Sequence, residues 1–152
     1  MLHAPARIAA VDHGTKRVGV AVADALGLSV QPVGTYAPDA AVGALRAMHA
    51  AHPLGVIVVG WPLEAGGVEG AATRRVTPFV NRLRRAFPGV GVVTHDERHT
   101  STDAAAFLGE AGRARAARRS KGLLDAAAAC VLLQDWLAER ENSTAVRPPA
   151  EP

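Results

Sequence analysis

The spacing of apolar and polar positions changes period several times along the chain, and each change marks an element. Ile8 to Asp12 is apolar until it meets the acid, which predicts a short strand. Gly14, Thr15 and Lys16 break it. Val18, Val20 and Val22 then alternate with Gly19, Ala21 and Ala23, the period of two of a second strand. The short gap between them predicts an antiparallel hairpin. Leu28 to Thr35 predicts a third strand, placed at a sheet edge by Pro32, which has no N–H to donate. Asp39 is a candidate cap for a helix to about His52, with Val42, Leu45 and Met48 on one face. Val56 to Gly60 is an unbroken apolar run, the signature of a buried parallel strand. Trp61 to Gly70 reads as a Gly-containing loop. Val76, Phe79, Val80 and Leu83 then stripe a basic amphipathic helix to about Phe87, with Pro78 as an internal kink or break.

Val90 to His95 predicts the last strand, followed by Asp96, Glu97 and Arg98. Thr100 and Asp103 are spaced like a capping-box variant opening a helix to Leu108, and Gly109 to Ser120 reads as a basic mobile loop. Gly122 to Glu139 predicts the final helix, and the Pro- and Ala-rich end from Asn142 predicts disorder. Strands that first pair and then alternate with helices indicate an α/β fold, a mixed sheet covered by helices. Residues 1–140 are expected to form one domain, with 141–152 as a tail.

Composition sharpens this picture. The chain has 152 residues, about one domain, and is 49% apolar but only 4% aromatic. Ala and Val must therefore fill the core, in thin layers that let helices lie close to a sheet. Cys130 is the only cysteine, so no internal disulfide or CxxC zinc pattern exists, which fits a reducing compartment. No apolar run reaches transmembrane length and no signal-peptide core opens the chain, so a cytoplasmic protein is expected, with no membrane partner. The formal charge is only +3, but Arg is clustered: Arg74, Arg75, Arg82, Arg84 and Arg85 in one group, Arg113, Arg115, Arg118, Arg119 and Lys121 in another. The guanidinium fork suits phosphate, although solvated helix faces would account for the same clusters.

The candidate chemistry lies in three acids at the edges of elements. Asp12 ends the first strand, Glu97 follows the last, and Asp125 lies one turn inside the final helix. Acids at the ends of adjacent strands of an open sheet point into one crevice. Two carboxylates about 4 Å apart repel by roughly 4 kcal/mol at an effective dielectric of 20. A hard divalent cation removes the conflict, and oxygen-only ligation suits Mg²⁺ or Mn²⁺. Such an ion could orient a water and stabilise a leaving oxygen in phosphodiester cleavage. Capping acids, with Asp125 paired to Lys121, explain the spacing equally well.

Four motifs carry a family resemblance. Asp12-His13-Gly14-Thr15-Lys16-Arg17-Val18-Gly19-Val20-Ala21 resembles the opening motif of the YqgF/RuvX family, Holliday-junction-resolvase-like proteins assigned to maturation of small-subunit ribosomal RNA. Val58 to Leu63 with Gly67 to Gly70, Asp96 to Ser101, and Lys121 to Ala129 resemble its second, third and fourth blocks, in the family's order. The resemblance spans about residues 8 to 139. It implies a ribonuclease H-like fold with a five-stranded mixed sheet flanked by helices. It implies that Asp12, Glu97 and Asp125 bind the metal, with Asp96 as the alternative middle acid. Strand alternation sends Asp96 and Glu97 to opposite faces, so only one of them points inward. Gly14, Thr15, Lys16, Arg17, Arg98 and Lys121 are the expected substrate contacts, through backbone N–H groups, a hydroxyl and cations. The chain departs from the pattern at His13, Trp61 and His99. His13, His95 and His99 could gather near the site and favour Mn²⁺, or be ordinary surface or hydrogen-bonded histidines.

The function expected on this basis is a metal-dependent nuclease acting on RNA, in 5′ maturation of 16S ribosomal RNA, as a monomer or homodimer. A resolvase of branched DNA is the alternative within the enzyme class, and it should be a two-fold dimer to cut two strands symmetrically. A non-catalytic nucleic-acid-binding assembly factor is a third reading. An actin-like ATPase, whose phosphate hairpin also opens with Asp-x-Gly-Thr, would need a longer chain, and no GxxxxGK[ST] loop is present.

Overall fold

The computed structural model describes residues 5–97 and 121–145. Five strands and three helices appear in that range: β1 (Arg7–His13), β2 (Val18–Ala23), β3 (Val30–Tyr36), α1 (Pro38–Ala51), β4 (Leu54–Trp61), α2 (Ala71–Ala86), β5 (Gly91–Asp96) and α3 (Lys121–Ala145). The strands form one sheet in the order β3-β2-β1-β4-β5. β1, β2 and β3 pair antiparallel, while β4 and β5 join β1 in parallel, so the sheet is mixed as expected.

Strand alternation divides the core in two. Ala9, Val11, Val18, Val20, Ile57, Val59 and Val92 face α1 and α2, where Val42, Leu45, Phe79 and Leu83 meet them. Ile8, Ala10, Ala21, Ala23 and Val58 face α3, against Ala129, Cys130, Leu132 and Leu133. The second layer meets small residues of the sheet with Ala129, Cys130 and two leucines of the helix, and α3 lies close over β1, β2 and β3. Cys130 is buried there, and burial pushes its thiol up to about 11, so it is an inert packing residue.

Several elements differ from their predicted bounds. β1 continues through His13, so Asp12 lies inside the strand, opposite Gly19, rather than at its end. β3 starts at Val30, not Leu28, because the Asp24 carboxylate accepts the N–H groups of Leu28 and Ser29 at 2.7 and 3.3 Å and holds them in a turn. Its Pro32 does sit on the edge strand. Asp39 does not cap α1: Ala37 occupies that position without a side-chain cap, and Asp39, in the first turn, pairs with Arg82 of α2. Pro78 does not break α2, which runs two turns beyond it. α3 continues past Glu139 to Ala145, into the stretch expected to be disordered. The predicted helix from Thr100 to Leu108, the basic loop to Ser120 with its arginine group, and residues 146–152 lie outside the described residues. No helix among those described is long and apolar enough to cross a membrane.

Candidate metal centre

The adjacent strands β1, β4 and β5 bring Asp12 and Glu97 together at the carboxyl end of β1. Asp12 follows Ala10 by two residues and so shares the face covered by α3. On one side its partner is Gly19 of β2. On the other, β4 runs parallel with Val59 beside Val11, which puts Gly60 next to Asp12. A row of Gly19, Asp12 and Gly60 therefore crosses the sheet, one acid between two residues without side chains.

Both glycines are needed for space. A Cβ on Gly19 would lie 2.1 Å from the backbone oxygen of Asp125. The first described turns of α3 thus rest directly on β2, beside Asp12. A Cβ on Gly60 would lie 2.1 Å from Glu97 Oε2. The Glu97 side chain folds over Gly60 toward Asp12, and its backbone N–H donates to the Trp61 carbonyl at 3.2 Å, continuing the β4–β5 ladder one step beyond the strand. Gly19 and Gly60 were not singled out in the sequence. A Gly within an alternating strand signals a close backbone approach, but only the fold says what approaches.

The register puts Asp96 and Glu97 on different faces of the sheet. Asp96 pairs with Trp61, and both share the sheet face of Val92, toward α2. Glu97 falls on the opposite face, with Asp12.

The electrostatics record the crowding. Glu97 is pushed up to about 9, first by burial, then by the charge of Asp12, a hydrogen bond with Asp12 and the charge of Asp96. Burial also raises Asp12, partly offset by the hydrogen bond with Glu97 and by His13. Without a cation the pair therefore keeps one proton at neutral pH, carried by Glu97 and donated to Asp12. Two desolvated, oxygen-only donors that must borrow a proton to coexist are a donor set that fits a hard divalent ion.

The described members of the expected contact set lie about the β1–β2 turn and the start of α3. Gly14, Thr15, Lys16 and Arg17 form the exposed β1–β2 turn, closed by the Gly14 N–H donating to the Arg17 carbonyl at 2.8 Å. With Asp125 they line a cleft of about 340 Å³. Lys121 opens α3, and Arg98 lies outside the described residues. Of the three histidines, the two described, His13 and His95, do not converge. His13 points to the α2 face and packs on Phe79 with ring centroids 4.8 Å apart; burial lowers its pKa and keeps it neutral. His95 turns toward α3 and hydrogen-bonds Asp135. His99 lies outside the described residues.

Comparison with known proteins agrees with the fold and its motifs. Residues 6–139 match the family described as RuvX: Holliday junction resolvase. A Salinibacter ruber protein named "Putative pre-16S rRNA nuclease" is 50% identical over 136 residues, covering 90% of this chain and 95% of that one. A Chlorobium luteolum protein of the same name is 44% identical over 136 residues, covering 90% and 96%. Among solved structures, Thermus thermophilus RuvC superposes with a TM-score of 0.51 at 16% identity, covering 89% of this chain and 96% of that one. That likeness is one of fold, the ribonuclease H-like sheet. A match over nearly the whole described sheet and α3, with relatives at up to half identity, places this chain in the RuvX family.

Proposed function

We propose that this chain is a divalent-metal-dependent nuclease that hydrolyses phosphodiester bonds of RNA, in 5′ maturation of 16S ribosomal RNA in the cytoplasm. The observation that carries this reading is the half-buried Asp12–Glu97 pair, with the Glu97 side chain folded over Gly60 toward Asp12, beside an exposed basic turn. The names of the related proteins supply the RNA substrate.

Asp12, Glu97 and Asp125 would hold Mg²⁺ or Mn²⁺. When bound, such an ion orients a water and neutralises charge developing on the phosphate oxygens. The rest is done by the chain. Lys16 and Arg17, solvent-facing at the mouth of the cleft, pair with flanking phosphates. The Gly14 and Thr15 backbone and the Thr15 hydroxyl orient the strand at closer range. Arg98 and Lys121 are assigned to the same task. Gly19 and Gly60 keep the acids at the closeness the cation requires, and α3 keeps water from the inner face of Asp12.

The test is cleavage of labelled RNA by purified protein with Mg²⁺, Mn²⁺ or EDTA. Cleavage should need a metal and vanish in Asp12→Asn and Asp125→Asn. Cleavage that survives EDTA and both substitutions would refute the assignment. The family description favours a second reading, a resolvase of branched DNA. It requires a two-fold dimer, so a strict monomer that leaves four-way junctions intact would eliminate it.

A further inference from the structure

On the α3 face of the sheet, His95 meets two carboxylates one helical turn apart. Its Nε2 lies 2.7 Å from Asp135 Oδ2, and its Nδ1 lies 3.7 Å from Glu139 Oε2. One donor atom from each of the three residues can be chosen so that all lie within 4.8 Å of one another. The imidazole is only 9% exposed and anchored in β5, whereas the carboxylates are 56% and 67% exposed. A fixed nitrogen donor is thus paired with two acids that are free to swing and open to water.

One hydrogen bond joins His95 to Asp135, and Glu139 stands by the other ring nitrogen. The second acid, at 3.7 Å, is beyond hydrogen-bond range. A cation on one ring nitrogen would draw in both. One imidazole with two carboxylates suits a borderline transition ion better than Mg²⁺ or Ca²⁺, which prefer oxygen alone. The i,i+4 spacing on α3 supplies the two acids from a single helix face.

We propose that His95, Asp135 and Glu139 form a second, non-catalytic site for one divalent transition ion of the Zn²⁺ or Co²⁺ type, with water completing its coordination. The ion clips α3 to the edge strand β5. Its helix donors lie away from the cleft, since Asp135 is ten residues beyond Asp125 on α3, about 15 Å along the helix, while His95 lies two residues before Glu97 on the β5 side. The clip would brace both elements of the candidate centre, since β5 leads into Glu97 and α3 carries Asp125. The inference does not depend on the nuclease reading, because it concerns binding and not turnover.

Co²⁺ is the probe, because its visible absorption bands report coordination directly. The background is the Asp12→Asn, Glu97→Gln variant, in which neutral isosteres remove the other carboxylate pair and its repulsion. It should still bind one Co²⁺ per chain with visible bands, and both Co²⁺ and Zn²⁺ should raise its Tm. Adding Asp135→Asn and Glu139→Gln should abolish the bands, the bound ion and the rise in Tm. These side chains are exposed, and an unchanged metal-free Tm would show that the fold is intact. His95→Gln in the same background should give the same loss. No bound Co²⁺ in the background variant, or equal binding after the added substitutions, would reduce the cluster to an imidazole–carboxylate pair and overturn the proposal.

Discussion

Glu97 ties the stability of the metal-free protein to pH. Unfolded, its carboxyl titrates near 4.5; folded, burial and then the Asp12 charge push it up to about 9. Below 4.5 both states hold the proton. Between 4.5 and about 9 the folded chain keeps a proton that the unfolded chain has released, so stability falls as pH rises through this window. Thermal unfolding in EDTA should show Tm dropping from pH 5 to 9, with a flatter profile in Glu97→Gln. An identical slope in that variant would remove Glu97 as the cause. Because a bound cation must displace the same proton, Mg²⁺ or Mn²⁺ affinity measured by calorimetry should rise with pH and lose most of that dependence in Glu97→Gln. The sequence alone left this residue undecided against Asp96. Adjacent acids differ in face, and the face is set by which of them pairs with Trp61.

At the scale of elements, the two glycines beside Asp12 should fail in different ways when given a methyl group. In Gly19→Ala the new Cβ meets the backbone of α3, which cannot swing aside. Overpacking of this kind costs about 1–3 kcal/mol, or roughly 2–4 °C of Tm for each kcal/mol in a domain of this size. Cleavage should fall as well, since Asp125 moves with the helix. In Gly60→Ala the clash is with the end of the flexible Glu97 side chain. Tm should change little while metal affinity and cleavage drop, because Glu97 is turned away from Asp12. Equal Tm losses in the two variants would contradict this division. The alanines and valines that the sheet turns toward α3 were legible as an Ala- and Val-rich, aromatic-poor composition. The particular contacts were not, because a helix distant in sequence supplies them.

At the scale of the whole molecule, a net charge of +3 says little, and placement says more. The β1–β2 turn puts Lys16 and Arg17 in solvent at the cleft that Asp125 borders. RNA binding should weaken as salt rises, with log affinity linear in log salt. Lys16→Ala and Arg17→Ala should each reduce that slope by about 0.7 on a single-stranded substrate. An unchanged slope would place the phosphates elsewhere. The Arg82–Asp39 pair on the opposite face is exposed on both sides and joins α1 to α2 at the surface. Asp39→Ala should shift Tm by no more than a few degrees, since exposed pairs contribute about 0–1 kcal/mol.

Periodicity alone determined where most strands and helices lie, because apolar spacing reflects which side of each element is buried. It also placed Asp12 beside a turn and Pro32 on an edge. The ordered motifs, by resemblance, pointed to the family and to the acids. Only the tertiary structure decided how those acids are arranged. Asp12 proved to lie within its strand, Glu97 rather than Asp96 turned toward it, and His13 and His95 turned to opposite faces of the sheet. Strand register, crossovers and the approach of α3 to Gly19 are long-range choices, made by packing two layers on one sheet. The three acids at element edges become, in the fold, a half-buried Asp12–Glu97 pair, with Asp125 on the helix that rests on Gly19.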